Sequence, residues 1–463
     1  MDTKSFSVLV VGGGLAGLVA ASRIAELGGD VLLLDRGDLV SGGGNTLMTT
    51  GTFFTAGVSP NSSPGELYSR AMAGGAAHPA FAEAWANNCQ RALQWLESAG
   101  VAVDRTGEVE PVLESNSTVS TAPVYRVDTG VNIVKKLLAF FHAHRGASRS
   151  RTRVVKLLTK RGKIIGVEAI DGSGERSSVF GGATILATGG FQASREILTK
   201  FVGRHADKCK LMGSAATSGD GLRLAIGAGA KVVNMKYFHG HMVSLKALAD
   251  DKFWPYPTMD TLIEDGIMVN RAGERFSDEG WGDIPLANTV ARWNDVTGAS
   301  LVFDEEAWTR SKGDVRSLVP PNPWLLEKGG GICKAENLSE LAKMLGVNAK
   351  NFEKTVEEFN VAATKRRLGE LEVPRITSAR PLRPPFYGLR VVPGIISTMG
   401  GPLVDGHMKV RNRKGEPILG LYAAGDLVGG LMGGRNGGYV GGISQAAVTG
   451  ILAGENAYKF ASI

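Results

Sequence analysis

The sequence predicts an α/β protein built on a parallel sheet, with a second domain inserted into it. Three observations carry that prediction. Phe6–Val11 is a β-branched, apolar run that enters Gly12-Gly13-Gly14-Leu15-Ala16-Gly17 and continues as an Ala-rich helical stretch. The 63 glycines among 463 residues are about double the usual ~7% share, and they cluster rather than repeat. From about Met235 to Pro374 the texture shifts to longer loops, more Pro and most of the Trp, before strands and glycine turns return from Pro384.

Phe6–Val11 suits a strand buried on both faces of a parallel sheet. The helix over Leu18–Leu27 is stopped by Gly28-Gly29, and Asp30–Leu34 reads as a second strand ending at Asp35, 23 residues after Gly12. In that βαβ setting a Gly-x-Gly-x-x-Gly turn points to the ADP moiety of a dinucleotide. Gly12 permits the tight turn, Gly14 lets a pyrophosphate approach the backbone, and Gly17 lets helix pack on strand. The helix N-terminus favours phosphate charge, and Asp35 can accept bonds from a ribose diol. Further on, Val154–Leu158 and Lys163–Ala169 read as a hairpin around Arg161-Gly162. Ala183–Thr188 is another buried strand, Thr217–Gly221 leads into a helix over Leu222–Ala230, and a small-residue helix over Ser444–Phe460 closes the sequence.

Composition removes several classes. The net charge of +7 is spread out, and the densest basic stretch, Arg145–Arg153, has no interleaved aromatics to stack bases. No nucleic-acid partner is expected. Cys89, Cys209 and Cys333 are too far apart for a disulfide framework, a CxxC motif or cluster ligation, and no metal site is expected. No stretch approaches the length of a membrane span and the start lacks a secretory pattern, so the expected setting is soluble and cytoplasmic.

Six motifs in this order resemble the fumarate reductase/succinate dehydrogenase flavoprotein family: the first βαβ turn, Gly42-Gly43-Gly44-Asn45-Thr46, Ala187-Thr188-Gly189-Gly190, Thr217–Gly221, Val269–Phe276 and Leu419–Asp426. The ending Asp278-Glu279-Gly280 is similar to the tricarballylate dehydrogenase-like branch. The resemblance implies a Rossmann-like, doubly wound FAD-binding domain formed by residues 1–233 and 376–463, with an α+β capping domain inserted at 234–375. It implies that Gly12, Gly14, Ala16, Gly17, Asp35 and Arg36 hold the ADP half, with Val155 meeting the adenine through its backbone. Gly43, Gly44, Asn45 and Thr46 would line the pyrophosphate and flavin edge. Ala187, Thr188, Gly189 and Asp220 belong to the same site. Gly425 and Asp426 would contact the ribityl chain, and the helix starting near Ser444 would point its positive end at the flavin. Members with covalent flavin carry a His after the second-strand loop; none lies between Asp35 and Phe54, so noncovalent FAD is expected.

The substrate machinery departs from the family. Its cap Arg acid should lie eight residues beyond Arg275, where this sequence has Asp283; its relay positions fall near Met259 and Leu262, and the His before the TxGG motif is replaced by Ile396-Ser397. A carboxylate substrate needs fixed cations, ideally a bidentate Arg, so simple fumarate or succinate chemistry is disfavoured. The candidates left are His241 at the cap-entry histidine position, Arg435 one place out of register with a substrate Arg, and Tyr439. Tyr439 precedes Gly441-Gly442 as in the Tyr-x-Gly segment of 3-ketosteroid dehydrogenases, where a tyrosine polarises a ketone oxygen. Asp283 is a candidate base, set against a plain exposed carboxylate.

These residues imply desaturation, or reduction, of a C–C bond α,β to a carbonyl, tilted toward dehydrogenation of a small ketone or oxo-acid. The rival is a polycarboxylate dehydrogenase or unsaturated-acid reductase with Arg435 and Arg292 as carboxylate clamps. More distant are a non-catalytic flavin sensor and an NAD-dependent dehydrogenase. No second nucleotide-binding unit, haem or cluster ligands are legible, which leaves oxygen, a quinone or a separate carrier as electron partner.

Overall fold

The structure is a computed structural model that describes residues 5–41, 44–113, 119–313 and 319–462. Its first strand, Ser5–Val11, lies inside an eight-stranded sheet, where Val8, Leu9 and Val10 are fully buried. Its apolar stretch Val8–Val11 can be sandwiched this way because both of its faces shed water. It pairs in parallel with Val31–Leu34 on one side and Arg176–Leu186 on the other. Ala147–Arg149 and Pro417–Ala423 extend the sheet outward in parallel. Strands from both ends of the sequence therefore share one sheet. The expected hairpin is present as Arg153–Lys160 against Lys163–Ile170, joined to the strand Arg176–Leu186.

Small residues decide how closely the layers meet. A Cβ on Gly17 would stand 1.8 Å from the carbonyl oxygen of Gly12, so the helix Leu15–Glu26 seats against its own turn only with glycine there. A Cβ on Gly450 would meet Ala16 O at 2.7 Å, which is how the closing helix Gly442–Ala461 packs onto that first helix. The N-termini of both helices consequently border one cavity, which Gly14, Leu15, Gly442 and Ile443 line.

A second sheet is organised around one long strand, Phe386–Thr398. Phe238–Ser244, Ala299–Asp304 and Cys333–Ala335 pair with it antiparallel, Lys210–Leu211 in parallel, and Ile267–Val269 adds beyond Ala299–Asp304. This hub strand lies within the 376–463 stretch, which sequence reading assigned to the nucleotide-binding part, yet it hydrogen-bonds into the second sheet. A separate apolar cluster that includes Leu341, Phe352, Phe359 and Phe386 backs that sheet. The helices Leu338–Leu345 and Ala349–Thr364 that supply it start at Asn337 and Asn348, whose side chains accept the N–H of Glu340 and Asn351. Beside this cluster Glu279, fully buried, accepts from Arg275 Nε at 3.0 Å and from Met268 N at 2.9 Å. Those bonds hold the turn from which the chain enters the helix Asp283–Val290. No described helix is long and apolar enough to cross a membrane.

Candidate active site

A cavity of about 650 Å³ runs from the Gly12–Gly14 turn to the second sheet. At the first end the backbone does most of the shaping. Asp35 accepts the N–H groups of Gly13 at 2.6 Å and Gly37 at 2.7 Å, and Thr46 Oγ1 accepts the Leu15 N–H at 2.9 Å, capping the first helix from a distant loop. Asn45 is pinned on both sides, accepting from Ser214 N and donating to Ile396 O. Asp220 takes charge-assisted bonds from Arg36 and Arg153, both at 3.0 Å. Burial alone would raise its pKa, but the two guanidiniums hold it below the usual carboxylate value.

Gly12, Gly14, Ala16, Asp35, Arg36, Gly44, Asn45 and Thr46 all line this cavity, as do Ala187, Thr188, Gly189, Asp220, Gly425 and Asp426. Three expectations need correction or qualification. Gly43 lies outside the described residues. Val155 does not line the cavity; Thr152, Arg153 and Val154 do, because the strand turns Val155 away. Ser444 does not line it either, since its hydroxyl bonds back to Val440 O and Gly441 O, and the helix presents Gly442, Ile443 and Ala446 instead. Gly17 acts behind the wall, through the packing already described.

The donors and acceptors suit FAD. Asp426 borders the cavity without a hydrogen-bond partner among the described residues, and burial pushes its carboxyl up to about 6. An acceptor walled in this way is poised for hydroxyl groups such as those of a ribityl chain. Glycine backbone at one end and the N-terminus of a 20-residue helix at the other suit a pyrophosphate and an electron-rich ring edge.

The second end is made of side chains from separate elements. His241 comes from the strand Phe238–Ser244, Asp260 heads the helix Asp260–Asp265, and Asp283 heads Asp283–Val290. His241 Nδ1 lies 3.3 Å from Asp283 Oδ2 and 3.4 Å from Asp260 Oδ2. It is close enough to pair electrostatically with both carboxylates, yet aligned for a hydrogen bond with neither; Nδ1 and Asp283 Oδ2 are both buried without a hydrogen bond. Asp283 is not the exposed carboxylate that its place in the sequence suggested. Its side chain is fully buried, because Oδ1 accepts the Met242 N–H at 2.7 Å and ties helix to strand. Burial, and then the charge of Asp260, push the Asp283 carboxyl up to about 7. Burial disfavours the His241 imidazolium, but Asp260 and Asp283 outweigh it and hold its pKa at about 10.

Tyr439 lines the cavity, stacked between Phe54, at 5.6 Å between centroids, and His239, at 3.9 Å. Its hydroxyl oxygen accepts the Gly442 N–H at 2.9 Å. Arg435, by contrast, is exposed and does not line the cavity; only its neighbours Asn436, Gly437 and Gly438 do. The glycines around it take left-handed φ values, +114° at Gly434 and +86° at Gly437, and carry that loop past the site with the Arg side chain outward. Arg292 is likewise exposed and away from the lining. Among the lining residues that sequence reading did not single out are His239 and Asp260. His239 was legible in principle, two positions before His241 on one strand. Asp260 stands one residue from the position where a relay group was sought.

The sequence matches the profile of the FAD binding domain family over residues 7–443. It is 28% identical over 476 residues to a fumarate reductase (cytochrome) of Shewanella frigidimarina, covering 98% of this chain and 77% of that protein. It is 31% identical over 291 residues to the 4-oxocyclohexanecarboxylate 2-dehydrogenase of Sinomonas cyclohexanicum, covering 57% of this chain and 48% of that one. Among solved structures it resembles the 3-ketosteroid-Δ4-(5α)-dehydrogenase of Rhodococcus jostii RHA1, with a TM-score of 0.75 at 21% identity over 99% of this chain and 98% of that one. The chain therefore belongs to the FAD binding domain family, among the fumarate reductase/succinate dehydrogenase flavoproteins, and is an FAD-dependent oxidoreductase that acts on C–C bonds.

Proposed function

We propose that this enzyme desaturates a C–C bond α,β to the carbonyl of a small ketone or oxo-acid, with reduction of the enone as the reverse reaction and FAD held noncovalently. The observation that carries this reading is the pair Asp283–His241: a fully buried carboxylate whose Oδ2 makes no hydrogen bond and ion-pairs with a ring nitrogen 3.3 Å away, at the sequence position where the family's reductases place a cationic acid. A carboxylate there is suited to taking a proton from carbon rather than to binding an anion. Ionised Asp283 accepts the proton α to the carbonyl, and the His241 imidazolium beside it steadies the charge before and after transfer. Tyr439 faces the developing enolate oxygen. Because its own oxygen accepts the Gly442 N–H, its O–H is polarised toward donation. Bound FAD supplies the two-electron acceptor for hydride leaving the β-carbon, at flavin N5. The exposed positions of Arg435 and Arg292 favour a ketone over a polycarboxylate. The relative named for a 4-oxocyclohexanecarboxylate substrate lends the ketone reading further support.

The test is anaerobic bleaching of the flavin band in the purified holoenzyme, with cyclic ketones including 4-oxocyclohexanecarboxylate in one panel and fumarate, succinate and tricarboxylates in the other. Bleaching by ketones is the expected result. Bleaching confined to the polycarboxylates would overturn the proposal.

A further inference from the structure

We infer that His239 is a second substrate contact, its ring N–H donating to the carbonyl oxygen alongside Tyr439. The inference rests on the ketone reading above and adds a residue that neither the sequence motifs nor that reading assigns. Its first support is placement. His239 lines the cavity, and its ring nitrogens have no hydrogen-bond partner among the described residues. Histidines in protein interiors ordinarily satisfy those nitrogens, so open ones facing a ligand cavity mark a group kept for the ligand.

Its second support is rigidity. The ring lies nearly parallel to Tyr439, with centroids 3.9 Å apart and planes 11° apart, and Tyr439 in turn stacks on Phe54. The backbone beneath is equally fixed: a Cβ on Gly240 would stand 1.9 Å from Gly394 O, so the strand is pressed against its neighbour with no slack. With ring plane and backbone both set, the His239 ring is held in one plane beside Tyr439, on the wall of the same cavity.

The third support is electrical. The His241 ring stands edge-on, 5.2 Å away. Burial, and then the charge of His241, drive the His239 pKa down to about 3. The ring therefore carries one N–H donor and one acceptor. A neutral imidazole can stabilise a forming enolate oxygen without surrendering its proton, as neutral histidine electrophiles do elsewhere. The two histidines of one strand thus divide the work: His241, held charged by two carboxylates, serves the proton, and His239, kept neutral, serves the oxygen.

The test compares His239→Phe, which keeps a flat ring for the stack, with His239→Gln, which keeps a donor. Both are assayed as holoenzymes for cyclohexanone bleaching and for solvent-deuterium exchange at its α-carbon. Loss of one oxyanion donor predicts a drop of roughly 10²-fold in kcat/KM for His239→Phe, a matching fall in exchange, unchanged flavin content, and partial recovery in His239→Gln. A Phe variant within about twofold of wild type would overturn the inference and leave the ketone reading standing. A wild type inert to ketones would overturn both, and is told apart because the parent enzyme itself fails. If the Phe variant loses flavin, imidazole NMR of the wild-type holoenzyme decides. A histidine ring that stays neutral down to about pH 5 should shift when para-nitrophenol, a mimic of the enolate oxygen, binds; no shift would overturn the inference.

Discussion

The two ends of the cavity are built on opposite terms. At the nucleotide end, the carboxylates Asp35 and Asp220 are already spoken for: Asp35 holds two backbone N–H groups and Asp220 two guanidiniums. At the substrate end, Asp283 Oδ2 and His241 Nδ1 are buried without a hydrogen bond, and the Asp283 carboxyl titrates near neutrality. The difference separates holding from reacting. A site that binds a cofactor throughout turnover gains from satisfied, preorganised groups. A site that moves a proton needs a group whose two protonation states are close in free energy, and burial beside a like charge provides it.

The largest effect is expected at Gly17. Gly17→Val puts a side chain into the Gly12 carbonyl, 1.8 Å from the position of its Cβ. The turn must shift, so the protein should purify colourless, or with flavin that is lost on gel filtration; a yellow, active Gly17→Val enzyme would show that the turn is not what holds the cofactor.

Next comes Asp283→Asn, which should keep its flavin and lose ~10²- to 10⁴-fold in turnover. For the wild type, a base raised to about 7 is ionised above that pH, so dehydrogenation should climb as pH rises through about 7 and enone reduction should fall over the same range. Because the carboxylates and His241 interact, the profile reports apparent values of the cluster. Asp260→Asn removes a charge that raises Asp283 and should move the midpoint to lower pH. A profile that does not move would leave Asp260 outside the cluster.

The smallest effect belongs to Arg435→Ala. An exposed residue outside the lining should change kcat/KM with a ketone by no more than about twofold. A larger loss, above all one confined to carboxylates, would bring the Arg clamp back.

Legibility follows the same divide. The Gly12–Gly17 turn and Asp35 could be read from sequence because they belong to one contiguous strand–turn–helix–strand unit whose backbone geometry restricts the residue types, whereas Thr46 and the Gly425-Asp426 strand end were legible through the family resemblance. His241 and Tyr439 were placed from motif position, and both do line the cavity. Arg435 was misplaced: it lies in a run of glycines whose left-handed φ values decide where the loop points, and such dihedrals cannot be read from composition. Asp283 was undervalued for a related reason. Nothing next to it in sequence indicates that Met242, forty-one residues away, donates its N–H to bury it. His239 and Asp260 were missed because each matters only through a neighbour on another element.

The sequence by itself determined the α/β class and the dinucleotide turn, because those depend on short-range periodicity and on glycine where backbone must approach backbone; the FAD cofactor and the general reaction were legible only through the family resemblance that its motifs carry. The tertiary structure alone decided which ionisable groups meet. The pKa values that separate a proton carrier from a surface carboxylate arise from desolvation and from charges a few ångströms away, and both are set by packing between elements that lie far apart along the chain.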